Sequence, residues 1–173
     1  VLAMGFLGGV YSSGAEKRIA DKIEEAWKVI HGKNSEPGYR NFMNQGIVGR
    51  RGEMLGALYL QKEKGGFEQV IEDVYRTHTE LVNRYLTGEG HCPEGGNYYE
   101  YTFTASILLW HTYARYSKKS WKEVVPEVFC RSGRYQEAIM SVNSPTGKRI
   151  PINCDSGGDR EVSTLLMVFL TLA

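Results

Sequence analysis

The stretch FEQVIEDVYRTHTELVNRYL, residues 67–86, decides the fold class. Phe67, Val70, Ile71, Val74, Tyr75, His78, Leu81, Val82 and Tyr85 recur in it at spacings of three and four, with polar and charged residues between. That period lays one apolar stripe along an α-helix, whereas a half-buried strand alternates by two. Gly65-Gly66 stops the preceding helix, and Gly88 opens the loop that follows.

The same period extends outward. Residues 15–31 place Ile19, Ile23, Ala26, Trp27 and Ile30 on one stripe. Residues 41–63 predict a helix with Met54, Leu55, Leu58 and Tyr59 on its buried face and Gly46, Gly49, Gly52 and Gly56 on a bare one. A glycine inside a helix costs about 1 kcal/mol relative to alanine, so something must approach that bare face closely: another helix or a ligand. Residues 98–118 carry Phe103, Ile107, Trp110 and Ala114 on a stripe. Residues 121–142 predict shorter helical pieces broken at Pro126 and at Ser132-Gly133. A loop over 143–158 then leads to a last helix capped by Asp159. Long helices joined by short loops form antiparallel hairpins, so the expected class is all-α in one domain.

The chain has 173 residues, enough for one sizeable core. Its 21 Lys+Arg against 20 Asp+Glu leave a net charge of +1, which supplies no basic face for nucleic acid. The apolar runs at 1–10 and 165–173 both fall short of the roughly 18–20 residues that a membrane span needs. Neither has the basic flank of a signal peptide. A chain that opens without Met and closes inside an apolar helix reads as part of a longer protein, and an exposed last helix would favour a homo-oligomer. Cys92, Cys130 and Cys154 are too few and too scattered for a disulfide framework. No Cys-x-x-Cys or His-x-x-x-His spacing marks a local metal site, and no cofactor is expected.

Chemistry gathers in two places. Asn41, Asn44 and Gln45 stand at i, i+3 and i+4, on one helix face. Three primary amides there can hydrogen-bond an anion without ion-pairing it; alternatively, Asn41 is only a helix cap. Arg50 lies one to two turns on, facing the same cleft or solvent.

The second place is Gly90-His91-Cys92-Pro93-Glu94-Gly95-Gly96-Asn97-Tyr98-Tyr99-Glu100-Tyr101, a Gly/Pro loop running into a helix. Tyr98 and Tyr101 share a side of that helix, and Tyr99 lies nearly opposite Tyr101. A phenol titrates near 10 and serves as a base near neutrality only beside positive charge or good donors. Each tyrosine otherwise packs in the core or at the rim. Aromatic rings with hydroxyl tips suit sugar binding. His91, in the loop and open to solvent or cleft, is the candidate for carrying a proton. Glu94 either accepts bonds that fix the loop or transfers a proton itself. Paired with Asp155 or Asp159 it would instead offer the two carboxyl groups of a glycoside hydrolase. His78 and His111 lie on or beside apolar stripes and read as hydrogen-bonded core residues. His31 reads as a helix C-terminal residue favoured by the dipole.

Together with Pro151-Ile152-Asn153-Cys154-Asp155-Ser156-Gly157-Gly158-Asp159, the segments Asn41-Phe42-Met43-Asn44-Gln45-Gly46 and Gly90–Tyr101 resemble the heparinase II/III-like polysaccharide lyases in order and approximate separation. The resemblance covers most of the chain, and Glu94, Gly95, Tyr98 and Tyr101 are its most specific element. It implies part of an incomplete α/α toroid and an exported protein, extracellular or periplasmic. The implied activity is β-elimination on a uronate-containing glycan such as a glycosaminoglycan, with the acidic polysaccharide as partner. It also implies that Asn44 and Gln45, with Asn41, neutralise the uronate carboxylate. Tyr101, with Tyr99 second, would move the C5 proton. Members often carry a His in the first motif, where residues 41–46 have none.

Overall fold

The computed structural model describes residues 13–36, 38 and 43–139. The apolar run at 1–10, Asn41, the expected loop at 143–158 with Cys154 and Asp155, and the expected last helix with Asp159 lie outside the described residues. Within them the chain is all-helical: α1 (Ser13–Ser35), α2 (Asn44–Lys64), α3 (Glu68–Tyr85), α4 (Gly96–Ser117), a single turn α5 (Trp121–Val124) and α6 (Glu127–Ile139). The only strand-like pairing among them is an isolated bridge between Thr87 and His91.

Helix α2 is the centre, packed against α1, α3 and α4. Its glycine face explains the first of these contacts. A Cβ on Gly56 would lie 2.7 Å from Cδ1 of Trp27, one on Gly52 would lie 3.8 Å from Ile30, and one on Gly49 would lie 2.7 Å from Oδ1 of Asn34. Numbers rise along α1 as they fall along α2, so the two helices are antiparallel. Helix α1 therefore covers this face at Gly49 and Gly56, where it approaches closer than a Cβ would allow, while at Gly52 the contact is an ordinary one.

A buried charge sits in the middle of the same contact. Glu53 is fully buried and its carboxylate takes Nη1 of Arg50 at 2.8 Å, Nδ2 of Asn34 at 2.8 Å and Nδ1 of His31 at 2.5 Å. Its backbone carbonyl accepts Nε1 of Trp27 at 3.0 Å. His31 thus binds a neighbouring helix; its sequence position near the end of α1 suggested only a dipole interaction.

Helices α3 and α4 are joined by rings. Tyr75 stacks on Tyr113 at 3.8 Å, His78 meets Trp110 edge-on at 5.5 Å, and Tyr85 tilts against Phe103 at 6.3 Å. The falling order on α4 makes this pair antiparallel too. Phe129 of α6 closes the layer against Phe103 and Trp110. Phe103 and Phe129 are fully buried, and each contributes about 1.5–3 kcal/mol by leaving water. The rings hold this half of the molecule together.

Pro126 does separate two helices, α5 and α6, as its sequence predicts. Ser132-Gly133 does not break α6, which continues to Ile139. The hydroxyl of Ser132 is buried and donates to the Phe129 carbonyl within the same helix, so a residue that favours turns is satisfied without one. Cys92 and Cys130 are free thiols. No described helix is long and apolar enough to cross a membrane.

His78 is a core residue, as its stripe implied, but neither ring nitrogen has a hydrogen-bond partner among the described residues. Burial first, and the Arg50 charge second, push its imidazole down to about 3. A contact with the Ile47 backbone offsets this only in part. An unfolded histidine titrates near 6.5, so between there and about 3 the unfolded chain binds the extra proton. Stability from this residue is complete above that window and falls as pH drops through it, by about 1.4 kcal/mol per pH unit at most. Urea unfolding of the wild type and of His78→Phe at pH 7 and pH 4.5 measures this. The variant should lose less stability than the wild type between the two pH values, and equal losses would contradict the assignment.

Candidate functional site

The loop between α3 and α4 is held at three levels. Thr87 and His91 exchange backbone hydrogen bonds of 3.0 and 2.9 Å, closing a tight turn. Gly90, inside that turn, has φ of 92°. A Cβ there would stand 2.3 Å from Cα of Ser132, so the loop lies directly on the backbone of α6. Next, Cys92 is buried with its thiol 3.4 Å from the Tyr85 hydroxyl. Burial pushes that thiol up, which makes it a packing residue and a poor nucleophile.

Glu94 ties the loop to α2. Its carboxylate accepts the backbone N–H of Asn44 at 2.9 Å and Nδ2 of the same residue at 2.9 Å. Asn44 is the first residue of α2, whose N–H has no partner inside the helix. The residue before it, Met43, gives no side-chain cap. A carboxylate from fifty positions away supplies the missing acceptor, and the helix dipole favours its charge there. The orienting role for Glu94 is the one its contacts describe. The same contacts alter the role expected of Asn44, whose amide already holds a carboxylate of the chain itself. Gln45, beside it, is exposed, and Asn41 lies outside the described residues.

The tyrosines part company. Tyr99 is fully buried, its hydroxyl shared with Ser132 at 2.5 Å, and its ring lies against Phe103 and Phe129. Burial raises its phenol well above the ordinary value, so it is a core residue and is withdrawn as a candidate base. Tyr98 is half-buried and Tyr101 is 58% exposed on the first turns of α4. His91 is exposed, with Nδ1 3.3 Å from the Thr87 hydroxyl.

Arg50 does not join this loop. It is buried against Glu53 and donates through Nη2 to the Asn34 carbonyl at 2.7 Å, lining a separate cleft of about 450 Å³ between α1, α2 and α3. That cleft, with His31, Asn34 and Glu53 on its wall, was missed by the sequence reading. The available signal was Glu53 itself, which falls among Gly49, Gly52 and Gly56 on the face that had to be covered.

The chain matches no protein-family model, and no curated protein or solved structure shows significant similarity to it.

Gly88 and Gly90 give an internal control for the docking of the loop. Both have positive φ, 52° and 92°, but a Cβ on Gly88 meets nothing within 4 Å. Gly90→Ala should therefore destabilise by at least about 1 kcal/mol more than Gly88→Ala. Denaturant midpoints compare the two, and equal losses would mean that the loop does not rest on Ser132.

Proposed function

We propose that this chain is the helical part of a polysaccharide lyase acting on a uronate-containing glycan by β-elimination. One observation carries the reading. The Glu94–Asn44 contact brings the amide-bearing start of α2 to the loop that opens the tyrosine-bearing α4, as the resemblance to heparinase II/III-like enzymes requires. The antiparallel pairs α1–α2 and α3–α4 are taken as part of an incomplete α/α toroid. The same reading places the protein outside the cytoplasm.

In this reading Tyr101, exposed beside the loop, is the proton-transfer residue, and Tyr98 flanks the sugar ring. Gln45 and Asn41 neutralise the uronate carboxylate, which acidifies the C5 proton. Asn44 and Glu94 fix the start of α2 that carries Gln45. The phenolate of Tyr101 takes the C5 proton. The electron pair left on C5 becomes the C4=C5 double bond as the C4–O4 bond breaks. The departing O4 takes a proton from the Tyr101 phenol or from His91.

Uronate polymers incubated with the 173-residue chain should yield an ultraviolet-absorbing unsaturated product. Tyr101→Phe should lower that rate by about 100-fold or more and leave polymer retention unchanged. Retention without unsaturation would select a non-catalytic glycan-binding domain. New reducing ends without unsaturation would select hydrolysis. Either result contradicts the lyase reading.

A further inference from the structure

The cleft between α1, α2 and α3 holds an imidazole fixed more firmly than a helix contact requires. His31 stacks on Trp27 with ring centroids 4.7 Å apart and planes 12° from parallel. Its Nδ1 lies 2.5 Å from Oε1 of Glu53. Arg50 and Asn34 both donate to the other carboxylate oxygen, so both oxygens of Glu53 are engaged. The Nδ1 contact with Glu53 leaves Nε2 as the ring nitrogen open to a ligand. The His31 side chain is 42% exposed, and Nε2 has no partner among the described residues.

The charges of the cleft are unevenly used. Arg76 is engaged by Asp73 at 3.0 Å and by Glu80 at 3.3 Å. Arg50 spends one arm on Glu53 and another on Asn34, while its buried Nε has no partner. Arg84, also lining the cleft, makes no hydrogen bond or ion pair among the described residues. Val74 and Leu81 give part of the wall an apolar surface. About 450 Å³ lies within the 300–1,000 Å³ range of small-molecule pockets.

A contact serving only to join α1 and α2 would need neither the open Nε2 nor the unspent guanidinium groups. We infer that this cleft binds a small hydroxylated anion, such as a sugar acid or sugar phosphate. A ligand hydroxyl hydrogen-bonds Nε2 of His31, and the anionic group pairs with Arg84. Carboxylate and phosphate share this chemistry, and both complement a guanidinium. The inference stands apart from the lyase reading, because its residues lie on α1, α2 and α3 and its readout is binding.

The test is a titration of the ¹⁵N-labelled 173-residue chain, following the His31 imidazole resonances. The probes are glucuronate and glucose 6-phosphate, with acetate and glucose as controls. Saturable shifts with either sugar anion, at concentrations where acetate and glucose give none, are expected. Arg84→Gln should weaken that binding by about tenfold or more. His31→Gln, followed through the Arg84 resonances, should reduce the preference for glucuronate over acetate. No shift with either sugar anion, shifts with acetate equal to those with glucuronate, or an affinity unchanged in Arg84→Gln would each overturn the inference.

Discussion

A buried carboxylate against a bare helix face is the constraint on which this structure rests. Glu53 has lost its water entirely, and an ionised group in that position is stable only if every lone pair is answered. Three of its partners, Trp27, His31 and Asn34, come from α1, and Arg50 comes from its own helix. Charge and shape therefore select the same arrangement. The glycines of α2 let α1 come close enough to bond Glu53, and those bonds hold α1 where the glycines are covered. Removing Arg50 would leave the Glu53 carboxylate buried without its cation, at a cost of about 3–5 kcal/mol.

Fixing α2 in this way fixes both candidate sites. The N-terminus of α2 receives the Glu94 carboxylate, so the loop before α4 is anchored to the helix at the centre of the described residues. The middle of α2 forms the wall of the 450 Å³ cleft. Exposed Tyr101 and half-buried His31 thus stand on elements whose backbones are held by packing and buried hydrogen bonds. Such support is what binding and proton transfer need from a scaffold.

The helices were legible because their apolar residues recur at three and four, nowhere more plainly than from Phe67 to Tyr85. The covered glycine face was legible through its energetic cost. The Ser132-Gly133 break was read wrongly, since local propensity cannot register a hydroxyl satisfied inside its own helix and against Tyr99. In the site, the meeting of Asn44 with the Glu94 loop was foreshadowed by residue type. Its partnering was not, because an amide that can hold a ligand carboxylate can equally hold one from the chain. Tyr98, Tyr99 and Tyr101 look alike in sequence. Only the placement of α6 decides that Tyr99 is sealed and Tyr101 is open. The cleft escaped notice because His31, Glu53 and Arg84 come from three helices with no common motif.

The central claim is that residues fifty positions apart, Asn44 and Glu94, form one unit at the base of the candidate site. A double-mutant cycle on Asn44→Ala and Glu94→Ala measures it directly through the free energy of unfolding. The two changes should couple by about 1 kcal/mol or more, as expected for a charge-assisted hydrogen bond. A coupling within about 0.3 kcal/mol of zero would mean that the two residues act independently, and would contradict the account.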